Sequence, residues 1–342
     1  MDNQYQKNID SLNELLCQSK NILILSHKNP DGDAIGSSTG LLHFLESRGH
    51  KADIVIPNDI PGFISWLPGC ERITVYKHHQ KKADNLIMSS ELIFFLDFNS
   101  SSRIDPLYKN IKGKGIMSVM IDHHPNPENF ANIMFSDTSV SSTAELVYRI
   151  IMDLCTNDCL SKDAATGLFV GIMTDTGCFS YNSSNPGTFQ AIAHLLRKGI
   201  HKDEIYSKVY DNYSFQRMRL LGHSLKDKME YFPEHRTAII SLTNSDLQQF
   251  DYTIGDTEGF VNYPLNIKGV IFSALFIEKK DMVKISFRSK GSFPVNTFAI
   301  KHFNGGGHLN AAGGESKESL ANVLNRFKTL LDDYRDELLK SS

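Results

Sequence analysis

The chain has 342 residues, of which 41% are hydrophobic and 22% are charged, a composition typical of a globular protein with two domains. Its net charge of −3 and pI near 6.5 argue against a protein that coats long nucleic acids and leave room for a small anionic substrate. The five cysteines include no CxxC pair and predict reduced thiols in a cytoplasmic protein. No apolar segment approaches the about 18 residues of a membrane span.

In chain order, the first half alternates helices with short apolar runs. An amphipathic helix is predicted at residues 5–20, and another helix at 33–48. Strands are predicted at 22–26, 52–56, 91–97 and 116–122, with a candidate fifth at 132–135. These runs are continuous rather than alternating, which is typical of parallel strands buried on both faces. Helices then dominate, at 141–155, 161–175, 187–198 and about 203–229. The pattern predicts an α/β domain whose parallel sheet has helices on both faces.

The pattern changes after residue 233. Strands are predicted at 237–242, 270–277 and 282–288, and helices near 295–303 and 317–338. A strand-rich block that follows a run of helices indicates a second, smaller α/β domain. The predicted boundaries are a first domain at 1–205, a helical linker at 206–235 and a second domain at 236–342.

The loop after the first strand carries one imidazole and two carboxylates. His27, Asp31 and Asp33 lie within seven residues, and loops at the carboxyl ends of parallel strands are where α/β sheets bind ligands. Neighbouring carboxylates repel each other, and a divalent cation would keep both ionised. The alternative is an Asp-rich turn in which Asp33 caps the next helix.

Three other segments end in the same kinds of side chain. They carry Asp97, then Asp122, His123 and His124, and finally Asp175. Because parallel strands end at one edge of a sheet, all four segments are expected to converge there. Oxygen and imidazole ligands without a thiolate favour Mn, Mg, Co or catalytic Zn over a structural zinc site. The set exceeds the needs of one ion, whereas two bridged ions would use all of it and lower the pKa of a bridging water.

A second group of residues lies near the C-terminus. Gly305, Gly306 and Gly307 allow close approach of the backbone to an anion, and His308 adds a donor. Arg288, at the end of a predicted strand, suits bidentate contact with a phosphate. The alternative is a flexible turn packed against a helix of small residues.

Other patterns have structural explanations. Gly32, Gly36 and Gly40 are spaced by four residues and predict a helix packed closely against the sheet. His78 and His79 lie in a lysine-rich stretch and are expected on the solvated surface.

The motifs HKNPDGDAIGS, LDFNSSSR, DHH at 122–124, TDTG at 174–177 and GGGH at 305–308 occur in this order. Together they resemble the DHH phosphoesterase family, with its DHH-associated domain at the C-terminal end. The length is similar to that of the family's oligoribonuclease and pAp phosphatase subgroup. One departure is Asn304, where that subgroup often has a fourth glycine; asparagine tolerates left-handed conformations.

The resemblance implies two divalent ions, usually Mn²⁺. The implied ligands of one ion are His27, Asp31 and Asp97, and those of the other are Asp33, Asp97, His123 and Asp175. The implied catalytic residues are His124, which faces the substrate phosphate, Asp122, which orients the ligands, and Arg103, which steadies the phosphate or the Asp97 loop. The implied substrate-binding residues are Arg288, Gly305, Gly306, Gly307 and His308, across a cleft between the domains.

The resemblance further implies hydrolysis of short oligoribonucleotides to 5′-mononucleotides and removal of the 3′-phosphate of pAp. Hydrolysis of pApA or of cyclic dinucleotides, and exonuclease action on single-stranded DNA, are alternatives at the same site. An inorganic pyrophosphatase and a non-catalytic nucleotide-binding protein rank lower. The expected partners are short RNA and small phosphorylated nucleotides. No membrane association is expected, and a homodimer is compatible with the sequence.

Overall fold

The computed structural model describes residues 3–18, 20–155, 157, 159–211 and 213–341. They form two compact units, 1–212 and 213–342. The first unit contains one parallel sheet in the order β3-β2-β1-β4-β5-β6. Its strands are β1 (Asn21–Ser26), β2 (Lys51–Ile56), β3 (Thr74–Val75), β4 (Leu92–Leu96), β5 (Met117–Asp122) and β6 (Ile133–Ser136).

Helices cover both faces of this sheet. They are α1 (Asn3–Leu15), α2 (Gly32–Ser47), α3 (Gln80–Ser89), α4 (Thr143–Leu154), α5 (Lys162–Asp175), α6 (Pro186–Arg197) and α7 (Lys202–Tyr210). Along β1, Ile22 and Ile24 enter one hydrophobic core, whereas Leu23 and Leu25 enter a core on the opposite face. The predicted parallel sheet, buried on both faces, is therefore confirmed.

The second unit contains a mixed sheet in the order β11-β12-β10-β9-β8-β7, in which only the β8–β9 pair is parallel among the described strands. Its strands are β7 (Met229–Phe232), β8 (Thr237–Leu242), β9 (Phe272–Glu278), β10 (Val283–Ser289), β11 (Gly306–His308) and β12 (Ala311–Ser316). Its helices are α8 (Phe215–Lys226), α9 (Asn244–Gln249), α10 (Val295–His302), α11 (Leu320–Asp333) and α12 (Arg335–Lys340). Within the described part of the chain, no helix has both the length and the apolar character needed to cross a bilayer.

The structure corrects the expectations for residues 203–229 and for the cysteines. The single helix predicted at about 203–229 is two helices, α7 and α8, because Ser214 caps a new helix by accepting a hydrogen bond from the Arg217 N–H. The thiols of Cys155 and Cys159 are expected to be reduced, whereas the structure joins them in a disulfide between the end of α4 and the start of α5.

The glycines of α2 pack against α5 and not, as predicted, against the sheet. A Cβ on Gly32 would lie 2.2 Å from Thr174 Oγ1, and a Cβ on Gly36 would lie 2.5 Å from the Gly167 carbonyl oxygen. Only glycine permits such an approach of two helix backbones. The contacts pair the start of α2 with the end of α5, and so bring the first loop close to Asp175.

Gly36→Ala is therefore expected to lower the free energy of unfolding by about 1–3 kcal/mol, the usual cost of overpacking a core. The added methyl group would also meet the Gly171 nitrogen at 2.7 Å, and neither backbone atom can rotate away. Urea unfolding measures the change. Gly222→Ala in α8 is the matched control, since its Cβ would meet nothing within 4 Å, and it is expected to stabilise the helix by about 0.5–1 kcal/mol. Equal effects of the two substitutions would contradict this account of the glycines.

Candidate metal centre

The side chains predicted to bind metal in the first unit converge at the carboxyl edge of the parallel sheet. His27 follows β1, Asp97 follows β4 and His123 follows β5, and these three strands are neighbours. Among the described residues of the first unit, three groups of side chains have ligand atoms within 4.8 Å of one another. The groups are His27, Asp31 and Asp97; Asp33, His123 and Asp175; and Asp97, Asp122 and His124.

The two carboxylates of the first loop are held by different partners. Asp31, not Asp33, caps α2: its Oδ1 accepts hydrogen bonds from the N–H groups of Asp33 and Ala34, each at 3.0 Å. The Asp33 carboxylate accepts the N–H groups of Thr143 at 2.7 Å and Ala144 at 2.8 Å. Because these two donors begin α4, the positive end of that helix stabilises the Asp33 charge. The alternative in which Asp33 caps α2 is thus wrong.

Asp97 occupies the centre of the site. Its side chain is 2% exposed, and its oxygens lie 3.3 Å from His27 Nε2 and 3.7 Å from His123 Nε2. The Thr143 hydroxyl donates to Asp97 Oδ1 at 2.9 Å. The backbone of Asp97 has a φ of 66°. This left-handed conformation costs free energy in any residue with a Cβ, and proteins retain it mainly at functional sites.

The hydrogen bond of His27 directs its second ring nitrogen towards Asp97. His27 Nδ1 lies 2.8 Å from the Lys28 carbonyl oxygen, and since a carbonyl oxygen only accepts, the proton is on Nδ1. Burial lowers the pKa of His27 and so favours the neutral ring. Its Nε2 then presents a lone pair to Asp97 Oδ2 across 3.3 Å. The two atoms are therefore suited to bind a cation together, as a neutral imidazole nitrogen and a carboxylate oxygen do in metal sites.

The charges of the site lead to the same conclusion. Burial, and then the charge of Asp97, raises the pKa of Asp33 well above its ordinary value, and burial with the charge of Asp31 does the same for Asp97. Burial lowers the pKa of His123 to about 4. Repelling carboxylates beside neutral imidazoles, with no thiolate among the clustered side chains, fit divalent cations.

Asp122 orients His124. Asp122 is fully buried at the end of β5, and its Oδ1 accepts a hydrogen bond from His124 Nδ1 at 2.7 Å. Its second oxygen is buried without a hydrogen-bond partner among the described residues. Burial lowers the pKa of His124, but the bond to Asp122 and the charge of Asp97 outweigh it and raise the pKa above the usual value.

Arg103 lies beside the first loop. It is in a short 3₁₀ turn, Ser101–Ile104, and its carbonyl oxygen accepts the Lys28 N–H at 2.9 Å. After burial, the Arg103 charge is the next largest cause that lowers the pKa of His27. The structure thus brings Arg103 to the same edge of the sheet.

The predicted substrate-binding residues lie together in the second unit. His308 on β11 and Arg288 on β10 both pair with Ala311 of β12, so the two side chains extend from the same face of the sheet. A Cβ on Gly305 would lie 1.9 Å from the Gly313 carbonyl oxygen, which explains the need for glycine there. Residues 311–316 form a strand, so the alternative of a small-residue helix is wrong.

Thr143 is a residue that sequence reasoning missed. Its signal was the S/T-x-x-E pattern at Ser142 and Glu145, which marks a helix start.

Thr143→Val removes only the hydroxyl that holds Asp97. It is expected to weaken Mn²⁺ binding by about 10- to 100-fold, as loss of groups that orient metal ligands does, measured by Mn²⁺ titration. The control is Thr166→Val, whose hydroxyl donates to the Lys162 carbonyl of its own helix. Unchanged Mn²⁺ affinity in Thr143→Val would contradict the role.

Comparisons with known proteins agree with this geometry. The model for the DHH family, N-terminal domain, matches residues 21–172, and the DHHA1 domain matches residues 238–337. The crystal structure of an exopolyphosphatase-related protein from Bacteroides fragilis is 44% identical with a TM-score of 0.96, covering 99% of this chain and 100% of that one. The chain belongs to the DHH family. The resemblance and the α/β fold class predicted from the sequence are thereby confirmed.

Two Bacillus subtilis relatives of this DHH-family chain have assigned activities. The bifunctional oligoribonuclease and PAP phosphatase NrnA is 26% identical over 316 residues, which are 92% of this chain and 95% of that protein. The cyclic-di-AMP phosphodiesterase GdpP is 28% identical over 339 residues, 95% of this chain but 49% of that protein. The chain is thus an enzyme of the phosphoester hydrolase class, as the sequence predicted.

Proposed function

We propose that the chain is an Mn²⁺-dependent phosphoesterase that hydrolyses short oligoribonucleotides to 5′-mononucleotides and removes the 3′-phosphate of pAp. The observation that carries the proposal is the convergence of His27, Asp33, Asp97, His123 and Asp175 at one sheet edge. The similarity to NrnA over nearly its whole length supports the substrate class.

We infer the metal ligands from the clusters and from the contacts of Asp97 with His27 and His123. His27, Asp31 and Asp97 would hold one ion, and Asp33, Asp97, His123 and Asp175 the other, with Asp97 shared. When bound, such ions activate a water and neutralise charge that develops on the phosphoryl oxygens.

Both proposed reactions break the same kind of bond. Release of a 5′-mononucleotide and removal of a 3′-phosphate each cleave between phosphorus and a ribose 3′-oxygen. One leaving group therefore serves both, and a single proton donor suffices. His124, held by Asp122 at Nδ1, would give this proton from Nε2.

Other residues would bind the substrate. Arg103, beside the first loop, would steady the scissile phosphate. Arg288, His308 and the glycines at 305–307 would bind a further phosphate or the sugar, since arginine forms paired hydrogen bonds with phosphate and glycine-rich turns expose N–H groups. The net charge of −3 suits substrates with few phosphates, because binding of long nucleic acids depends on many basic side chains.

Hydrolysis of cyclic or linear adenine dinucleotides is a second candidate function. The similarity to GdpP over 95% of this chain favours it. Opening of a cyclic dinucleotide to a 5′-phosphorylated product also breaks a bond to a 3′-oxygen, so the same residues would act.

The test is a set of substrates assayed with Mn²⁺: pAp, pApA, RNA of two to five nucleotides, cyclic di-AMP, long single-stranded DNA and pyrophosphate. The expected result is the highest kcat/KM for short RNA, with turnover of pAp. A preference for cyclic di-AMP would establish the second candidate. A preference for long DNA or pyrophosphate, or a Mn²⁺-induced rise in Tm without any turnover, would refute the proposal.

A further inference from the structure

The segment between α5 and α6 carries an exposed aromatic side chain beside the candidate metal centre. We propose that Tyr181 in this segment stacks on one nucleobase of the substrate and so selects nucleotides over simpler phosphoesters. This inference rests on the proposed function and adds a base-binding subsite to it.

The segment begins with an unusual backbone. Gly177, Cys178 and Phe179 follow one another in the left-handed region, with φ values of 53°, 54° and 66°. This conformation costs free energy in each residue that has a Cβ. Backbone strain of this kind persists where the surrounding structure requires it, and it concentrates at functional sites.

The turn places the phenol of Tyr181 directly over Gly177. A Cβ on Gly177 would lie 2.3 Å from Tyr181 Cε1 and 2.7 Å from its hydroxyl oxygen. Gly177 is two residues after Asp175 in the chain, so the phenol lies against the backbone that leads out of the metal centre. The glycine is thus required both for its positive φ and for the space that the phenol takes.

Hydrogen bonds fix the segment to both sides of the metal centre. The N–H groups of Ser180 and Tyr181 donate to the Thr176 carbonyl at 2.9 and 3.2 Å, and Thr176 follows Asp175. The Asn182 amide donates to the Ser141 carbonyl at 3.1 Å, two residues before the N–H that holds Asp33. Tyr181 is therefore positioned by the same two helices that position metal ligands.

The two aromatic residues of the turn have different environments. Phe179 packs against Phe169 and Phe189, with ring centroids 6.4 and 5.9 Å away, and so anchors the turn to the core. Tyr181 remains 49% exposed. An exposed, fixed aromatic ring beside a phosphate-cleaving site offers a surface for base stacking, which tolerates any sequence because every base has a π-face. That tolerance suits an enzyme for mixed short oligonucleotides.

The experiment compares Tyr181→Ala and Tyr181→Phe on pApA and on two analogues, each lacking one adenine. Tyr181→Ala is expected to raise KM for pApA roughly 5- to 150-fold, the range of base–aromatic stacking, with kcat little changed. Tyr181→Phe keeps the ring face and should keep the wild-type KM. On the analogue that lacks the stacked base, Tyr181→Ala and the wild type should have the same KM. Tyr231→Ala is the control, since Tyr231 is 47% exposed in the other unit.

Several results would overturn the proposal. They are an unchanged KM in Tyr181→Ala, the same loss on pApA and on both analogues, and a loss in Tyr181→Phe equal to that in Tyr181→Ala. If the wild type does not hydrolyse pApA, the proposed hydrolysis of short oligoribonucleotides fails for this substrate. Equilibrium binding of pApA to the same variants then still tests the stacking. Circular dichroism spectra confirm that each variant is folded.

Discussion

Asp97→Asn is expected to lower kcat/KM for short oligoribonucleotides by at least about 1,000-fold, since a loss of about 4 kcal/mol of transition-state stabilisation is within what bound metal ions contribute. Asp97 Oδ2 lies 3.3 Å from His27 Nε2 and Asp97 Oδ1 lies 3.7 Å from His123 Nε2, so its charge would serve both ions. Asparagine is the suitable replacement because it keeps the shape and tolerates the left-handed backbone at φ 66°. Steady-state kinetics at several Mn²⁺ concentrations measure the loss.

The same variant separates metal binding from folding. Without metal, Asp97→Asn should be at least as stable as the wild type, because one of several repelling buried carboxylates is removed. Mn²⁺ at 100 times its Kd should stabilise the wild type by about 2.7 kcal/mol and the variant far less, measured as a shift in Tm. Asp251→Asn is the matched control, an exposed aspartate with a φ of 49°. A normal Mn²⁺ shift in Asp97→Asn would contradict the shared-ligand role.

The convergence of the metal site could be predicted from the sequence because it follows from topology. Continuous apolar runs identify parallel strands, and parallel strands must end at one edge. His27, Asp97 and His123 each follow such a run, so their proximity needed no knowledge of side-chain packing. The short strand β3 and the polar helix α3 escaped prediction because neither carries a clear hydrophobic period.

The support for the carboxylates could not be predicted, because it comes from residues distant in sequence. The N–H that holds Asp33 belongs to Thr143, 110 residues later. Which aspartate caps α2 depends on where that helix begins, and a shift of two residues in the start separates the two outcomes. The packing of Gly32 on Thr174 is likewise set by the choice of neighbouring helix, which a glycine spacing of four does not reveal.

The Cys155–Cys159 disulfide shows a different limit. Composition and the absence of a CxxC pair favoured free thiols, because they report on the compartment and not on local distance. The two residues lie at the end of α4 and just before the start of α5, and their Cα atoms are 6.4 Å apart, within the usual range for a disulfide.

His124→Ala is expected to lower kcat for a ribodinucleotide by about 10²- to 10⁴-fold, the range for loss of a general acid. The hydrogen bond from Nδ1 to Asp122 fixes the ring, so Nε2 is the nitrogen that would protonate the leaving 3′-oxygen. A p-nitrophenyl ester of a nucleotide needs no such proton, because p-nitrophenolate is already a good leaving group. The loss on this ester should therefore be much smaller, and the ratio of the two losses is the measurement.

His123→Ala is the control for this prediction, because the neighbouring imidazole has a different role. His123 Nε2 lies 3.8 Å from Asp33 and 3.6 Å from Asp175, among the ligands of one ion. Loss of the His123 imidazole should weaken Mn²⁺ binding and slow the hydrolysis of both substrates by similar factors. If His124→Ala lost the Mn²⁺-induced shift in Tm while His123→Ala kept it, the roles would be exchanged. Equal losses of His124→Ala on the two substrates would instead mean that His124 stabilises the phosphoryl group and transfers no proton.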